Sequence, residues 1–398
     1  MGIIVQKFGG TSVGSTDRMK RVAGQIVKEK EKGNDVVVVV SAMANTTDTL
    51  VKLAGELSDY PGKREMDMLL STGEQVTISL LTMALQHRGM KAVSLTGRQA
   101  GIRTDDVFGN AKITSIDTGR IKEELSAGRI VVVAGFQGVT EEGELTTLGR
   151  GGSDTSAAAL ASALKADRCD IYTDVDGVYT SDPRVVPRAA KIDGLSYTDM
   201  LRFAMMGANV LHPRAIKHAK EHGVPMIVRS SLKEGRGTVI SGKVQRNDSI
   251  VGVALQEEVS VLTIHGCDGG ESLILYDLDS HHIETERIRH RQGLVLIIKD
   301  QDIHLVKKIV RKYNQAYSHF DMREDVSKVC VIGSIQSSGE VKEKVTNVFH
   351  DYHIGKVSVW ESSVGLSAIV DRTDVEKAAR ILHMHFGLDY IESKRAIL

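Results

Sequence analysis

A lysine beside a glycine pair is the first feature of the chain that is suited to chemistry. The segment Lys7–Ser12 reads KFGGTS and lies between a predicted strand and a predicted helix. Two glycines let the backbone approach a phosphate closely, a helix N-terminus attracts anions, and Lys7 adds a full positive charge. The segment is a candidate triphosphate site, although by itself it fits a turn with a surface lysine equally well.

A second glycine-rich segment, Leu148–Thr155, reads LGRGGSDT and also precedes a predicted helix. Glycines at this density lower stability, so they are expected where the backbone must come close to a ligand. The alternative is a glycine-rich hairpin in which Asp154 forms the N-cap of the helix. Neither G-x-x-x-x-G-K-[ST] nor G-x-G-x-x-G occurs in the chain, which excludes a P-loop and a Rossmann site.

A third segment, Thr173–Arg184, reads TDVDGVYTSDPR and follows another predicted strand. Its carboxylates, tyrosine and arginine are groups that could hold a nucleoside, its phosphates and a metal ion. The alternative is an ordinary surface loop, because Asp, Gly, Ser and Pro are common turn residues.

A fourth group combines Ser41 and Thr47, which follow the second predicted strand, with Glu74 in the segment Ser71–Glu74. Hydroxyls and a carboxylate suit the ammonium group of a small substrate. A helix N-cap followed by an ordinary glutamate explains these residues equally well.

The elements that must position these segments alternate between short β-branched runs and amphipathic stretches. This pattern predicts an α/β fold with a mainly parallel sheet. Each segment follows a predicted strand, and ligands bind at the carboxyl edge of such sheets. The predicted strands are Ile3–Lys7, Val36–Ser41, Ala92–Thr96, Ile130–Ala134, Arg168–Thr173 and Pro225–Val228, and the clearest predicted helices are Thr16–Gly33 and Thr155–Lys165.

The pattern loses its periodicity near Glu234–Asn247, which indicates a linker. Beyond it, two blocks share a strand–helix–strand rhythm that is typical of a ferredoxin-like βαββα module, and the rhythm is clearer in the second block. In the first block an apolar run at Leu273–Leu275 follows Gly266–Gly270, with no clear helix. We predict a catalytic domain over residues 1–241, a linker over 242–254, a degenerate module over 255–325 and a second module over 326–398.

Composition narrows the class of protein. Hydrophobic residues make up 41% and charged residues 26% of the 398 residues, which is ordinary for a globular chain of two or three domains. Fifty-one Lys plus Arg balance fifty-one Asp plus Glu, so we expect neither nucleic acid nor a membrane as a partner. The isolated cysteines Cys169, Cys267 and Cys330 indicate a reduced, cytoplasmic protein.

Histidines in the C-terminal blocks raise the question of a metal site. They lack cysteine or carboxylate partners at ligand spacing, so we predict no metal site and interpret them as solvated or core-edge residues. These histidines are His281, His282, His290, His383 and His385.

Seven segments resemble, in the same order, the motifs of the aspartate kinases, a family of the amino acid kinase superfamily. They are KFGGTSV from Lys7, VVVSAM ending at Met43, TTD from Thr46, STGE ending at Glu74, GRGGSDTSA from Gly149, TDVDGVYTSDPR from Thr173 and VLHPRAI from Val210. The two C-terminal blocks lie where this family carries paired ACT regulatory modules. The resemblance implies the amino acid kinase fold, three layers around a mainly parallel sheet, followed by two ferredoxin-like βαββαβ ACT modules.

The resemblance also implies a role for each matching residue. The ATP phosphates would be held by Lys7, Gly9 and Gly10, and Asp154 would orient Lys7 and the transferred group. L-Aspartate would be bound by Ser41, Thr47, Glu74, Arg150 and Ser153. The nucleotide pocket would be lined by Thr173, Asp174, Tyr179, Asp182 and Arg184.

The implied reaction transfers the γ-phosphate of ATP to the side-chain carboxylate of L-aspartate, with Mg²⁺ bound mainly through the nucleotide phosphates. The product, 4-phospho-L-aspartate, begins the biosynthesis of lysine, threonine and methionine. Lysine, threonine or a related product would act as an effector on the ACT modules. Because ACT-like modules generally pair, a homodimer or a larger assembly is expected.

Two positions depart from the family pattern. Asn209 stands where relatives commonly carry Lys, and the first C-terminal block lacks the usual Pro-Gly loop, so its effector pocket is expected to be altered or lost. One alternative is a glutamate or acetylglutamate kinase, which the STGE segment and the appended modules fit poorly. The other is an amino-acid sensor without activity, which the intact Lys7, Arg150 and Asp154 disfavour.

Overall fold

The computed structural model describes residues 2–208, 210–244, 250–266, 271–281, 283–290, 293–333, 338–355, 357–362 and 365–389. Asn209, Cys267 and His282 lie outside these ranges. The strands are β1 Ile3–Phe8, β2 Asp35–Val40, β3 Ala92–Leu95, β4 Ile102–Thr104, β5 Ile113–Ile116, β6 Ile130–Ala134, β7 Gln137–Val139, β8 Leu145–Thr147, β9 Arg168–Thr173, β10 Val178–Tyr179, β11 Lys191–Ile192, β12 Gly194–Leu195, β13 Met226–Ser230, β14 Thr238–Ile240, β15 Ile250–His265, β16 Glu286–His290, β17 Gly293–Lys299, β18 His319–Gly333, β19 Ser358–Ser362 and β20 Gly365–Asp371. The helices are α1 Thr16–Glu31, α2 Thr46–Leu57, α3 Lys63–Leu70, α4 Thr72–His87, α5 Gly119–Ser126, α6 Gly152–Ala163, α7 Tyr197–Met205, α8 Pro213–His222, α9 Glu271–Ser280, α10 Ile303–Lys312, α11 Ser338–Asp351 and α12 Val375–His385.

An eight-stranded sheet forms the centre of the N-terminal part, in the order β12-β14-β13-β9-β1-β2-β6-β3. Its neighbouring strands are parallel, except that β14 runs antiparallel to β13. The six strands predicted from the sequence are all present, so the α/β class is confirmed. The carboxyl ends of β13, β9, β1 and β2 lie side by side, which brings the loops after these strands to one edge.

Helices cover both faces of this sheet. Side chains alternate along a strand, so Val37 and Val39 of β2 pack into a core with α6 and α8, whereas Val36, Val38 and Val40 pack into a core with α1 and α4. The valines of β2 are all fully buried, as expected for a strand covered on both sides. This arrangement is the three-layer architecture that the sequence predicts.

The C-terminal part is built on one six-stranded antiparallel sheet, in the order β16-β17-β15-β18-β20-β19. The long strands β15 and β18 pair along most of their length, and a βαββ arrangement extends from each of them. This second sheet agrees with two ACT modules. The modules therefore share a sheet, and β18 runs through the predicted boundary between residues 325 and 326.

The prediction that the first block has no clear helix is wrong. The helix α9 occupies Glu271–Ser280, and it places Ile274 and Leu278 in the core at a spacing of four residues. The apolar run Leu273–Leu275 looks strand-like in the sequence, but Leu273 is exposed. A missing helix is thus no reason to expect a lost effector pocket. The start of β15 lies within the range 242–254 that was predicted as linker, and β14 lies just before that range.

The start of β15 packs directly against the N-terminal part. Val251 and Ala254 belong to the same core as Phe203 and Met206. A side chain at Gly252 would place its Cβ 2.5 Å from Cζ of Phe203, so only glycine fits this contact. The two parts of the chain are therefore joined by a close-packed core.

The helical stretch Lys63–His87 is long and apolar enough to cross a membrane by length and composition alone. In the fold, 44% of the 18-residue apolar window in this stretch is buried inside the protein, and a single helix of this kind does not establish a membrane span. Asp67 within this stretch is fully buried, and its carboxylate accepts hydrogen bonds from the Thr147 amide at 2.8 Å, the Thr147 hydroxyl at 2.7 Å and the Gly109 amide at 2.9 Å. One carboxylate thereby fixes α3 to β8 and to the loop between β4 and β5.

Replacing Asp67 by Ala should lower the free energy of unfolding by about 3 kcal/mol, because it leaves buried donors without an acceptor. Urea denaturation followed by circular dichroism measures this change. Glu65→Ala, at an exposed position on the same helix, is the matched control and should change stability by less than about 0.5 kcal/mol. Equal stability of the two variants would contradict this role of Asp67.

Candidate functional site

The ends of four strands lie together at the carboxyl edge of the large sheet and are joined by hydrogen bonds. Ser12, after β1, donates its hydroxyl to Ser231 Oγ at 2.7 Å, and Ser231, after β13, donates to the carbonyl of Thr173 at 3.2 Å. The loop after β2 joins them, because Ser41 N donates to the carbonyl of Phe8 at 3.2 Å. The segments Lys7–Ser12 and Thr173–Arg184 and the loop after β2 thus meet at this edge, and we refer to the space that they border as the cleft.

An ion pair between Lys7 and Asp154 lies at the base of this cleft. Lys7 Nζ is 2.6 Å from Asp154 Oδ1, and each side chain is only 12% exposed. Lys7 is on β1, in the middle of the sheet, and Asp154 is in the first turn of α6, which packs against β1. The predicted lysine and aspartate are therefore brought together, although 147 residues of chain separate their positions, 7 and 154.

Asp154 is not the N-cap of α6, which corrects the structural alternative considered for this segment. The helix begins at Gly152, three residues earlier than predicted, and its N-cap is Gly151. Gly151 has φ +66°, in the left-handed region that favours glycine. Asp154 is thereby free to point at Lys7, while the positive end of the helix dipole faces the cleft.

The glycine pair after β1 lies against the loop after β2. A side chain at Gly10 would place its Cβ 2.7 Å from the carbonyl oxygen of Ala42, and Gly10 O accepts a hydrogen bond from Ala44 N at 3.1 Å. A Cβ at Gly9 would lie 3.5 Å from Lys7 Nζ. The pair therefore keeps the space beside the lysine ammonium open to a ligand.

Glu74 is a buried carboxylate with one oxygen available. It lies in the first turn of α4, its residue is 3% exposed, and its Oε1 accepts a hydrogen bond from Ala42 N at 2.9 Å. Its Oε2 is buried and has no hydrogen-bond partner among the described residues. Burial raises the pKa of Glu74 to about 7. A buried acceptor of this kind is suited to a cationic ligand.

The hydroxyl residues predicted for the substrate lie around the same loops. Thr47 is in the first turn of α2, and Ser41 is partly buried directly after β2. Ser153 is 8% exposed at the start of α6, where a Cβ at Gly135 would lie 2.8 Å from its Oγ. Gly135 thus leaves room for this hydroxyl.

Arg150 is placed differently from the other predicted substrate residues. It is exposed, and its Nη2 donates to Gln301 Oε1 at 3.4 Å. Gln301 belongs to the short 3-10 turn Asp300–Asp302 of the C-terminal part. The guanidinium is therefore directed at the C-terminal part in this structure, on a glycine-flanked loop.

The third predicted segment forms the other side of the cleft. Thr173 Oγ1 donates to Asp174 Oδ1 at 3.0 Å at the end of β9, and the Tyr179 hydroxyl donates to Asp176 at 2.8 Å. Asp182 and Arg184 pair with each other at 2.7 Å, and this hydrogen bond lowers the pKa of Asp182. The side chain of Arg184 is 90% exposed, so the guanidinium is accessible to a ligand.

Two residues of the VLHPRAI segment contact the glycine-rich loop, although no role was predicted for them from the sequence. Arg214 donates to the carbonyl of Leu148 at 2.8 Å and also bonds Asn110. His212 is the N-cap of α8, and its ring occupies the space that a side chain at Gly151 would need. Both residues hold the glycine-rich loop in place. The only signal for them in the sequence was the motif itself.

Within the part of the chain that the structure describes, two groups of histidine and carboxylate side chains have potential metal-ligand atoms within 4.8 Å of one another. They are His218, Glu221 and His222 on α8, and His265, His319 and Asp321 on β15 and β18. Sequence spacing did not suggest either group. Among the histidines considered in the sequence, His281 bonds the carbonyl of Asp277, and His383 is buried against Thr180 and Asp389.

Comparisons with known proteins match nearly the whole chain. A model of the amino acid kinase family matches residues 2–230. Aspartokinase 2 of Bacillus subtilis (strain 168) is 47% identical over 401 residues, which cover 98% of each chain. The crystal structure of E. coli aspartokinase III with aspartate and ADP has a TM-score of 0.79 at 28% identity and covers 96% of this chain and 99% of that chain. The same enzyme with lysine and aspartate has a TM-score of 0.77 at 28% identity, with the same coverage.

Ionising Glu74 should destabilise the ligand-free protein, because its pKa is about 7 in the fold against 4.5 as the ordinary value. The contribution of the neutral Glu74 side chain to the free energy of unfolding is fully present below pH 4.5 and is lost as the pH rises through 7. Glu74→Gln stays neutral, so at pH 8 it should be more stable than the wild type by roughly 1–3 kcal/mol, with a smaller difference at pH 5. Thermal unfolding at both pH values measures this, with exposed Glu65→Gln as the control. A pH-independent difference would contradict the prediction.

Proposed function

Because the chain belongs to the amino acid kinase family, and within it to the aspartokinases, we propose that the cleft around Lys7 and Asp154 is where it phosphorylates aspartate. The chain is an ATP-dependent aspartate kinase. It transfers the γ-phosphate of ATP to the side-chain carboxylate of L-aspartate and forms 4-phospho-L-aspartate. This reaction leads to lysine, threonine and methionine. The observation that carries the site assignment is the buried Lys7–Asp154 pair at the meeting point of the motif loops.

Lys7 and Asp154 act on the transferred phosphate. Lys7 Nζ binds an oxygen of the terminal phosphate, while Asp154 holds the ammonium in position and keeps it from reorienting. The amides around Gly9 and Gly10 and the N-terminus of α6 add further positive potential. This pre-organised positive charge stabilises the negative charge that spreads over the transferred group in the transition state.

The acceptor needs no strong general base. The side-chain carboxylate of aspartate has an ordinary pKa of ~3.9, so it is ionised near neutral pH and can attack phosphorus directly. The site must therefore hold the acceptor and the phosphate close together and in line, which is mainly a matter of positioning.

Glu74 binds the ammonium group of the substrate through Oε2, the oxygen that lacks a partner. The bound ammonium compensates the buried charge, so substrate binding lowers the pKa of Glu74. Ser41, Thr47 and Ser153 supply hydroxyls to the same molecule. Arg150 binds the α-carboxylate through two parallel hydrogen bonds after its guanidinium leaves Gln301.

The segment from Thr173 to Arg184 binds the nucleotide, with Tyr179 beside the base or ribose and Arg184 near the phosphates. The aspartates of the predicted site are engaged with protein side chains: Asp154 with Lys7, Asp174 with Thr173 and Asp182 with Arg184. This donor set fits a Mg²⁺ held chiefly by phosphate oxygens. When bound, the ion neutralises charge on the phosphates.

The C-terminal sheet carries the regulation. E. coli aspartokinase III, a structural neighbour, was crystallised with lysine and aspartate in a T-state. We assign an amino-acid effector to the two ACT modules of this chain, with lysine first and threonine as the alternative. Pairing of these modules between two copies makes a homodimer or a larger assembly, which acts in the cytoplasm. The catalytic domain covers residues 1–241, and the modules cover residues 255–325 and 326–398.

Hydroxylamine trapping of the acyl phosphate tests the activity. Purified protein with ATP, Mg²⁺ and L-aspartate should give aspartyl hydroxamate, and L-glutamate should not replace aspartate. Lys7→Ala and Asp154→Ala should each lower kcat by a factor on the order of 10³, since both disturb charge stabilisation in the transition state. A Lys7→Ala variant with the kcat of the wild type would contradict the proposed location of the active site. Added lysine or threonine in the same assay identifies the effector.

Aspartate recognition is tested by two further variants. Glu74→Ala should raise the KM for aspartate at least tenfold and leave the KM for ATP nearly unchanged, because it removes only the partner of the ammonium. Arg150→Lys should also raise the KM for aspartate, since a lysine cannot form the bidentate contact. Glu65→Ala is the control. An unchanged aspartate KM in the Glu74 variant would contradict its role.

A further inference from the structure

A buried hydrogen-bond chain links the second C-terminal module to the segment proposed for the nucleotide. His383, on α12, is 1% exposed, and its Nε2 is 2.8 Å from Thr180 Oγ1. The Nδ1 atom of the same ring is 3.0 Å from Asp389 Oδ1. Thr180 is fully buried and lies between Tyr179 and the Asp182–Arg184 pair.

The surroundings fix the direction of these bonds. Burial lowers the pKa of His383, so its ring is neutral near pH 7. A carboxylate can only accept a hydrogen bond, so Nδ1 carries the hydrogen atom and donates a hydrogen bond to Asp389. The lone pair at Nε2 then accepts the hydroxyl hydrogen of Thr180, whose oxygen accepts in turn from Ala190 N at 2.9 Å.

The main chain of Thr180 is fixed as well. Its amide donates to the carbonyl of Ala190 at 2.9 Å, and its carbonyl accepts from Val253 N of β15 at 2.7 Å. A second contact from α12 reaches the same loop, because Arg380 Nε donates to the carbonyl of Val185 at 2.7 Å. The loop from Tyr179 to Ala190 is thus held by α12 and β15, both of which belong to the C-terminal part.

This arrangement is unusual for a core position. The residues of α12 next to His383 in the core are apolar, including Ala379 and Leu382. A leucine at position 383 could fill such a core, whereas a buried imidazole is costly unless both nitrogens are satisfied. Here both are satisfied, and one of the two partners belongs to the nucleotide segment. Because a hydrogen bond is directional, the contact between His383 and Thr180 fixes the position of the loop from Tyr179 to Ala190 relative to α12. An apolar contact would not fix it in this way.

We infer that His383 is a positioning residue for nucleotide binding, which acts through Thr180 to set the place of Tyr179 and Asp182. This inference rests on the proposed role of the Thr173–Arg184 segment. It gives the second module a direct mechanical connection to the ATP side of the cleft. The residues proposed to bind aspartate contact the C-terminal part at a different place, where Arg150 donates a hydrogen bond to Gln301.

The test compares His383→Ala with His385→Ala, an exposed histidine two residues further along α12. His383→Ala should raise the KM for ATP, and the Kd for ADP by calorimetry, about tenfold, which corresponds to one lost buried hydrogen bond. The KM for aspartate and kcat at saturating ATP should change by less than about twofold. His385→Ala should match the wild type, and His383→Gln, whose amide can accept from Thr180, should recover part of the loss.

Thr180→Val removes the same hydrogen bond from the other side and carries the test if His383→Ala does not fold. The two changes together should cost less than the sum of the two single changes, because both of them remove the hydrogen bond between His383 and Thr180. The inference is overturned if ATP binding is unchanged in both single variants, or if both substrates weaken equally. The variant Asp182→Ala separates the proposed role of the Thr173–Arg184 segment from the inferred role of His383. If it leaves ATP binding intact, the nucleotide segment itself is misassigned; if it weakens ATP binding while the His383 variants do not, only the role of His383 fails.

Discussion

The arrangement of the N-terminal part depends on the ion pair between Lys7 and Asp154, because the fold must hold these two charges together. Two charges that are 12% exposed must stay 2.6 Å apart, because either one alone would be an uncompensated buried charge. Lys7 lies on a central strand whose neighbours are paired on both sides, and Asp154 lies on a helix whose alanines let it pack closely on that strand. A central strand and a helix packed on it thus carry the ion pair proposed for catalysis, while glycine-rich loops lie around it.

The role proposed for Glu74 implies that the fold gives up stability in preparation for a ligand. Its free oxygen is buried without a partner among the described residues, and its pKa rises because water is excluded. Such a group is unfavourable in the ligand-free protein and becomes favourable when a cation arrives. A site of this kind selects its ligand through charge and hydrogen bonding together, since an apolar or neutral molecule would leave the carboxylate unsatisfied.

The sequence predicts the local features of this protein well and the long-range ones only in part. Runs such as Val36–Val40 predict buried strands because both of their faces are apolar, and motif order predicts which loops carry chemistry. The start of α6 was predicted too late because a left-handed glycine can cap a helix without a side-chain signal. Helix α9 was missed because its apolar residues are adjacent, and only the fold decides which of them face the core. The contact of Arg150 with Gln301 depends on how distant segments pack, which no local pattern contains.

The continuous pairing of β15 with β18 has a consequence for movement in the C-terminal part. Fifteen or more residues in each strand form a two-stranded ribbon that passes through both modules, with register shifts between Gln256 and Val259 and between Val259 and Val261. Bulges of this kind increase the local twist of a ribbon. The modules therefore cannot turn independently, because rotating one of them winds or unwinds the ribbon they have in common. Near Gly252 this ribbon packs against Phe203, and Val251, Val253 and Ala254 contact the N-terminal part there as well, so a change in twist far from the cleft reaches the N-terminal part through this short segment.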